Sequence, residues 1–168
     1  MNRDELRAAQ APLKERYRED PAAALVTLRA QGSLGEDGVS CSVATGRALV
    51  EAGLHPATGG TGTLACSGDM LLEALAACAG VTLRAVATSM GLAVDGAVHV
   101  EGDLDFRGTL GVAKDEGVAV GFRAIRLRFE LDHDATDEQL ATLLRLTERY
   151  CVVYQTLAGG APVEVSLA

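Results

Sequence analysis

Apolar positions along this chain recur at two different periods, and the changes of period mark out its elements. Residues 2–18 carry Leu6, Leu13 and Tyr17 at loose helical spacing, with Pro12 inside the pattern and Pro21 beyond it. This predicts an N-terminal helical extension over residues 1–20. Residues 24–31 alternate loosely through Leu25, Val26 and Leu28, and residues 38–45 through Val39, Cys41 and Val43. The polar turn with Gly35, Asp37 and Gly38 makes them a hairpin. A third short strand is expected at 48–52, then a loop at 55–62, where HPATGGTG permits little else. The strongest helix follows over 68–90, with Ser67 as N-cap, Asp69 near the positive helix end and Gly91 as the stop. Its small residues (Ala74, Ala76, Ala77, Ala79, Gly80) let a neighbour approach closely and suit a central position. Residues 94–110 and 118–131 read as long strands joined by 111–117. In the second, Ile125, Leu127, Phe129 and Leu131 face one way and Arg126, Arg128 and Glu130 the other. A last helix starts at Thr136, where Thr136 and Gln139 suit a capping box, and runs to about Tyr154. Residues 163–167 alternate like a closing strand.

Strands in hairpin-like groups, rather than regular βαβ units, predict an α+β fold with antiparallel sheet. The sequence has no internal repeat or low-complexity tract, and 168 residues suit a single domain over 1–168. Aromatic residues are only 4%, so the core must be built from Leu, Val and Ala. The net charge of −8 opposes binding to phosphate backbones, and no Lys/Arg cluster offers itself to an anionic membrane. The charged N-terminus is unlike a signal peptide, and the longest apolar stretch, between Glu73 and Arg84, falls short of the ~20 residues of a membrane span. Four widely spaced cysteines do not make a secreted disulfide scaffold. A cytoplasmic protein with free or redox-active thiols, and with neither nucleic-acid nor membrane partners, is expected.

The cysteines are the candidate chemistry. At 100° per residue, Cys78 shares a half of its helix with Leu71, Leu75, Thr82 and Ala85. Cys151 continues the stripe of Leu140, Leu143, Leu144 and Thr147. If both helices bury these faces against shared structure, the two sulfurs could meet. The spacing alone favours two inert core cysteines, since a free Cys behaves as a small hydrophobe. A buried thiol needs a cation to become reactive, and Arg47, Arg84 and Arg149 are the candidates. Cys66 is a rival thiol beside the start of the central helix, and Cys41 falls in a strand. Other motifs exclude more than they suggest. Residues 60–65 match G-x-G-x-x-A but follow a loop, so no dinucleotide is expected. The absence of C-x-x-C and H-x-x-x-H pairs leaves no expected metal. Asp69 and Glu73 share a helix face and suit either an acid pair or solvation.

Two segments carry a resemblance to a known family. SGDMLLEALAACAGVTLRAVATSMGL (67–92) and LTERYCVVYQTL (146–157), followed by GGAPVEVSL, resemble the two cysteine helices and closing strand of the OsmC/Ohr family. The resemblance covers residue 24 to the end. It implies an OsmC-like fold, an intertwined homodimer with antiparallel sheets wrapped around central helices. It also implies reduction of organic hydroperoxides by Cys78 (peroxidatic) and Cys151 (resolving), with a dithiol as reductant and no cofactor. An arginine and a carboxylate would poise the thiolate, and Arg47 and Asp69 are the matching candidates. Three features depart from the family pattern: Gly68 stands at the glutamate position ten residues before Cys78, Val152 replaces the usual Pro after Cys151, and the loop after Arg47 is longer. The alternative is an OsmC-fold binding or accessory protein without peroxidase activity.

Overall fold

A 24-residue helix, α1 (Ser67–Met90), is the longest element of the computed structural model, which describes residues 2–5, 8, 32–34, 40–44, 49–110 and 117–167. It ends as expected. Gly91 takes a φ of +73°, open to glycine without strain, and the Leu92 N–H closes the turn on the Ala87 carbonyl at 2.9 Å. By length and composition α1 is apolar enough to cross a bilayer, although its longest uninterrupted apolar stretch is shorter. In the fold, Leu75, Ala79, Leu83 and Ala87 form a buried stripe at four-residue intervals.

The chain divides into two compact units. The first holds Leu25–Glu73 and Val100–Arg126. Here β1 (Gly32–Leu34), β2 (Ser40–Ala44), β3 (Leu49–Gly53) and β4 (Ala65–Cys66) pair in chain order. β1–β2 and β2–β3 are antiparallel, with Gly32 opposite Val43 and Ser40 opposite Gly53. The short β3–β4 pairing is parallel and was not expected. The strand expected at 24–31 lies outside the described residues, and the partner that β2 finds is 32–34. Between β3 and β4, residues Pro56–Thr58 form a 3₁₀ turn whose Ala57 N–H is capped by His55 Nδ1 at 3.1 Å.

The second unit holds Met1–Ala24, Ala74–His99 and Leu127–Ala168. Its core joins Leu83 and Ala87 to Val94 and Leu143, with Met90, Phe129, Leu131 and Leu140 packed around them. It is aliphatic, as the composition requires. Of the predicted N-terminal helix, Arg3–Glu5 are helical and most of the rest lies outside the described residues.

Strands β5 (Val94–Leu104) and β6 (Phe122–His133) pair in a two-stranded sheet. The strand expected over 94–110 is therefore too long. It stops at Leu104, and Phe106–Leu110 form a short helix, α2, where Gly108 donates to the Asp105 carbonyl and sits against Ala119 closely enough to exclude a Cβ. β6 starts four residues later than expected, after Gly121 at φ +113°. Helix α3 (Asp137–Tyr150) has the predicted capping box, with the Gln139 N–H donating to Thr136 Oγ1 at 3.3 Å and the Thr136 N–H to Gln139 Oε1 at 2.9 Å.

Two expectations at the C-terminal end need correction. The last helix does not run through to Tyr154. It stops at Tyr150, and a second helix, α4 (Val152–Gly159), starts after Cys151, whose φ of −74° and ψ of 107° are extended. The β-branched pair Val152–Val153 is stiff at χ1 and favours such a break. Residues 163–167 form no strand, and Val163, Val165 and Leu167 are exposed, since an alternating segment becomes a strand only with a pairing partner.

Candidate thiol site

The buried stripe of α3 fixes the position of Cys151. Leu143 and Thr147 are buried, the Thr147 hydroxyl donates to the Leu143 carbonyl at 2.8 Å, and the Cys151 N–H donates to the Thr147 carbonyl at 2.9 Å. Cys151 is 0% exposed and closes α3 while opening α4. The break leaves polar groups on both sides. Gln155 Nε2 reaches back to the Glu148 carbonyl at 2.8 Å and satisfies part of the end of α3. On the α4 side, no side-chain hydrogen bond caps the helix, and the Gln155 N–H donates to the Cys151 carbonyl at 2.9 Å.

The first turn of α4 lies beside the other cysteine. Cys78 is half-buried on α1, and its sulfur faces the Val152 and Val153 N–H groups, the Cys151 thiol and the Thr82 hydroxyl. Burial alone would push the Cys78 thiol up. The donors outweigh it, with Val153 N–H first, then the Cys151 thiol, Val152 N–H and Thr82, and hold Cys78 below the ordinary thiol range. Cys151 moves the other way. Burial pushes it up most; the Tyr154 N–H pulls it down, the bond to Cys78 and the Cys78 charge push it up again, and the Val153 N–H lowers it least. Cys78 is thus the more acidic thiol of the pair and Cys151 the less acidic. Both thiols are free in this structure.

The structure brings Cys78 and Cys151 together. Arg47 lies outside the described residues. The Arg84 guanidinium donates to the Val94 carbonyl, and that of Arg149 lies 5.5 Å over the Tyr150 ring. Asp69 is in the first turn of α1, in the other unit. There, with His55, Cys66 and Phe106, it lines a cavity of about 370 Å³ in which the His55 ring stacks on Phe106 at 4.8 Å. Periodicity missed the amide donors of Val152 and Val153, because a backbone N–H leaves no mark in a side-chain pattern. The signal that could have found them was the β-branched pair directly after Cys151.

Beside Cys151 lies a cavity of about 490 Å³, within the usual range for small-molecule sites. Phe129, Leu131, Leu140 and Leu144 give it apolar walls, and Glu148 and Tyr154 add polar groups. Among the described residues, no cluster of three His, Cys, Asp or Glu side chains could hold a metal ion.

Residues 60–166 match the sequence profile of OsmC-like proteins. No curated protein sequence matches the chain. Among solved structures, an OsmC-like protein from Mycoplasma pneumoniae is 20% identical, with a TM-score of 0.65 over 80% of this chain and 89% of that one. An organic hydroperoxide resistance protein OsmC from Legionella pneumophila is 17% identical, with a TM-score of 0.56 over 81% and 92%. An organic hydroperoxide resistance protein from Elizabethkingia anophelis is 17% identical, with a TM-score of 0.51 over 81% and 91%. At these identities the likeness is one of fold.

Proposed function

This chain belongs to the OsmC family, and from that premise we propose that it is a thiol-dependent peroxidase that reduces organic hydroperoxides. The observation that carries the reading is the asymmetric pair, Cys78 biased to thiolate and Cys151 biased to thiol, in hydrogen-bonding contact. The Cys78 thiolate attacks the terminal peroxide oxygen and the O–O bond breaks. The alkoxide leaves as an alcohol after taking a proton, and Cys78 becomes a sulfenic acid. Deprotonated Cys151 attacks that sulfur, the S–OH bond breaks, and the hydroxide leaves as water with one proton. A dithiol then exchanges twice with the Cys78–Cys151 disulfide, restoring both thiols and leaving as a disulfide itself.

The apolar cavity beside Cys151 supports an organic rather than an inorganic peroxide, since burying an apolar tail is favourable by roughly 25 cal/mol per Å². We also propose a cytoplasmic homodimer. The exposure of Val81 on α1 (72%) and of Val163, Val165 and Leu167 supports a second copy covering these positions.

The test is peroxide consumption with a dithiol reductant. Wild type turns over a bulky organic hydroperoxide faster than hydrogen peroxide. Cys78→Ser abolishes turnover, because a serine hydroxyl supplies no thiolate near neutral pH. Cys151→Ser oxidises once and stalls with a trappable sulfenic acid on Cys78. Equal, slow consumption by wild type and Cys78→Ser refutes the peroxidase and leaves the binding or accessory protein in its place.

A further inference from the structure

We propose that the cavity lined by His55, Cys66, Asp69 and Phe106 binds a small organic cation with an aryl group, an arylalkylamine in its ammonium form. The site is independent of the peroxidase reading: its lining residues all belong to the unit of Leu25–Glu73 and Val100–Arg126, and Cys78 and Cys151 do not. The cavity holds about 370 Å³, near the lower end for small-molecule sites. Part of its lining is a preformed aromatic shelf. The His55 ring stacks on Phe106 with centroids 4.8 Å apart and planes 15° from parallel. His55 is fixed by the turn that follows it. Its Nδ1 accepts from the Ala57 N–H at 3.1 Å, and its carbonyl accepts from the Thr58 N–H at 2.8 Å, the Thr58 hydroxyl at 2.9 Å and the Gly60 N–H at 3.1 Å. A shelf ordered before the ligand arrives costs little further entropy on binding. A third ring, Phe122, lies against Gly102, where a Cβ would come within 2.4 Å of it. Gly68 leaves room beside that ring. A Cβ at 68 would touch Phe122 at 3.5 Å and the Cys66 sulfur at 3.6 Å, so a longer side chain would enter among the lining groups.

Charge selects the ligand's sign. Among the described residues, the lining carries two carboxylates and neither Lys nor Arg. Asp103 is already paired, with Arg126 Nη2 donating to its Oδ1 at 2.8 Å. Asp69 has no such partner among the described residues. The start of α1 places about half a positive charge nearby, less than the full negative charge of Asp69. Aromatic faces act in the same direction, since a cation within ~6 Å of a ring centroid is drawn to the ring's negative face. An aryl group gains in addition by stacking on the rings of the lining. An anion of the same shape would meet Asp69 and the ring faces, both of which repel it.

Cys66 reports whether the cavity is filled, because it lines the space with a free thiol. The probes are benzylamine, benzyl alcohol and benzoate, which keep one aryl group and change its charge. Alkylation of Cys66 by iodoacetamide near neutral pH is followed by peptide mass spectrometry as each probe is titrated in. The Cys78 rate in the same samples is the reference, which corrects for reagent lost to the amine. Benzylamine should slow Cys66 relative to Cys78. Half-protection should need about fivefold more benzyl alcohol than benzylamine, the upper end of what an exposed ion pair is worth. Benzoate should protect least. In Asp69→Asn, which keeps the shape and removes the charge, amine and alcohol should protect alike. Protection by benzoate equal to that by benzylamine overturns the proposal. So does an amine advantage that survives in Asp69→Asn, or a Cys66 that none of the probes protects.

Discussion

Replacing Cys151 by Ala should slow the first chemical step as well as abolish the second. In a purely resolving role Cys151 acts only after Cys78 has been oxidised. Here its S–H donates to Cys78 and helps hold the thiolate, so its removal should be felt before any disulfide can form. A hydrogen bond to a charged group is worth ~1.5–3 kcal/mol, but S–H is a weak donor, which places the loss near ~1 kcal/mol. Since ~1.4 kcal/mol is tenfold, sulfenic acid formation in Cys151→Ala should be roughly fivefold slower at neutral pH. In Cys151→Ser the hydroxyl keeps a donor at the same place, and the first step should stay within about twofold of wild type by the same reasoning. The assay is rapid-quench consumption of one equivalent of organic hydroperoxide without reductant, which isolates the single oxidation that all three proteins can perform. Identical first-step rates in wild type, Ala and Ser would refute the claim that Cys151 poises Cys78.

Other predictions test the frame around the site. Leu143→Ala empties a position with 0% exposure against Leu83, Ala87 and Val94, and should cost ~2–5 kcal/mol in urea unfolding at fixed protein concentration. Gly96→Ala should cost about 2 kcal/mol or more and lower the melting temperature, because Gly96 sits at φ +128° and a Cβ would lie 2.0 Å from the Glu130 carbonyl oxygen. Cys78 should be alkylated at lower pH than Cys151, from the opposite directions in which their environments move them. The same directions set the linkage with stability. The Cys78 contribution is present above the unfolded thiol range and lost as pH falls through its folded value. The Cys151 contribution is present below that range and lost as pH rises through its folded value. Unfolding free energy should therefore rise with pH up to the unfolded thiol range and fall above it, which denaturation at several pH values checks.

Much of the fold was legible because its strongest signals are local. The Thr136–Gln139 capping box, the alternation in 125–131 and the glycine stop of α1 each carry their own geometry. The meeting of Cys78 and Cys151 was legible only as a condition, since two apolar stripes say which faces are buried and not what they face. The break at Cys151 was hidden for a related reason. Its side chain keeps the helical stripe of Leu143 and Thr147, so the period continues across a backbone that has left the helix. The alternation at 163–167 misled in the opposite sense, because pattern alone does not supply a strand partner. Asp69 lines a cavity with Cys66 and His55, surroundings that its residue type could not reveal.

The central claim is that Cys78 and Cys151 are one redox pair, and a disulfide map tests it most directly. Reduced protein is treated with one equivalent of an organic hydroperoxide, quenched by alkylation, digested without reduction and sequenced by mass spectrometry. A Cys78–Cys151 link within one chain is expected, with Cys66, also free and half-buried, recovered alkylated. A link through Cys66, or full alkylation of Cys78 and Cys151 after the peroxide is gone, would contradict it.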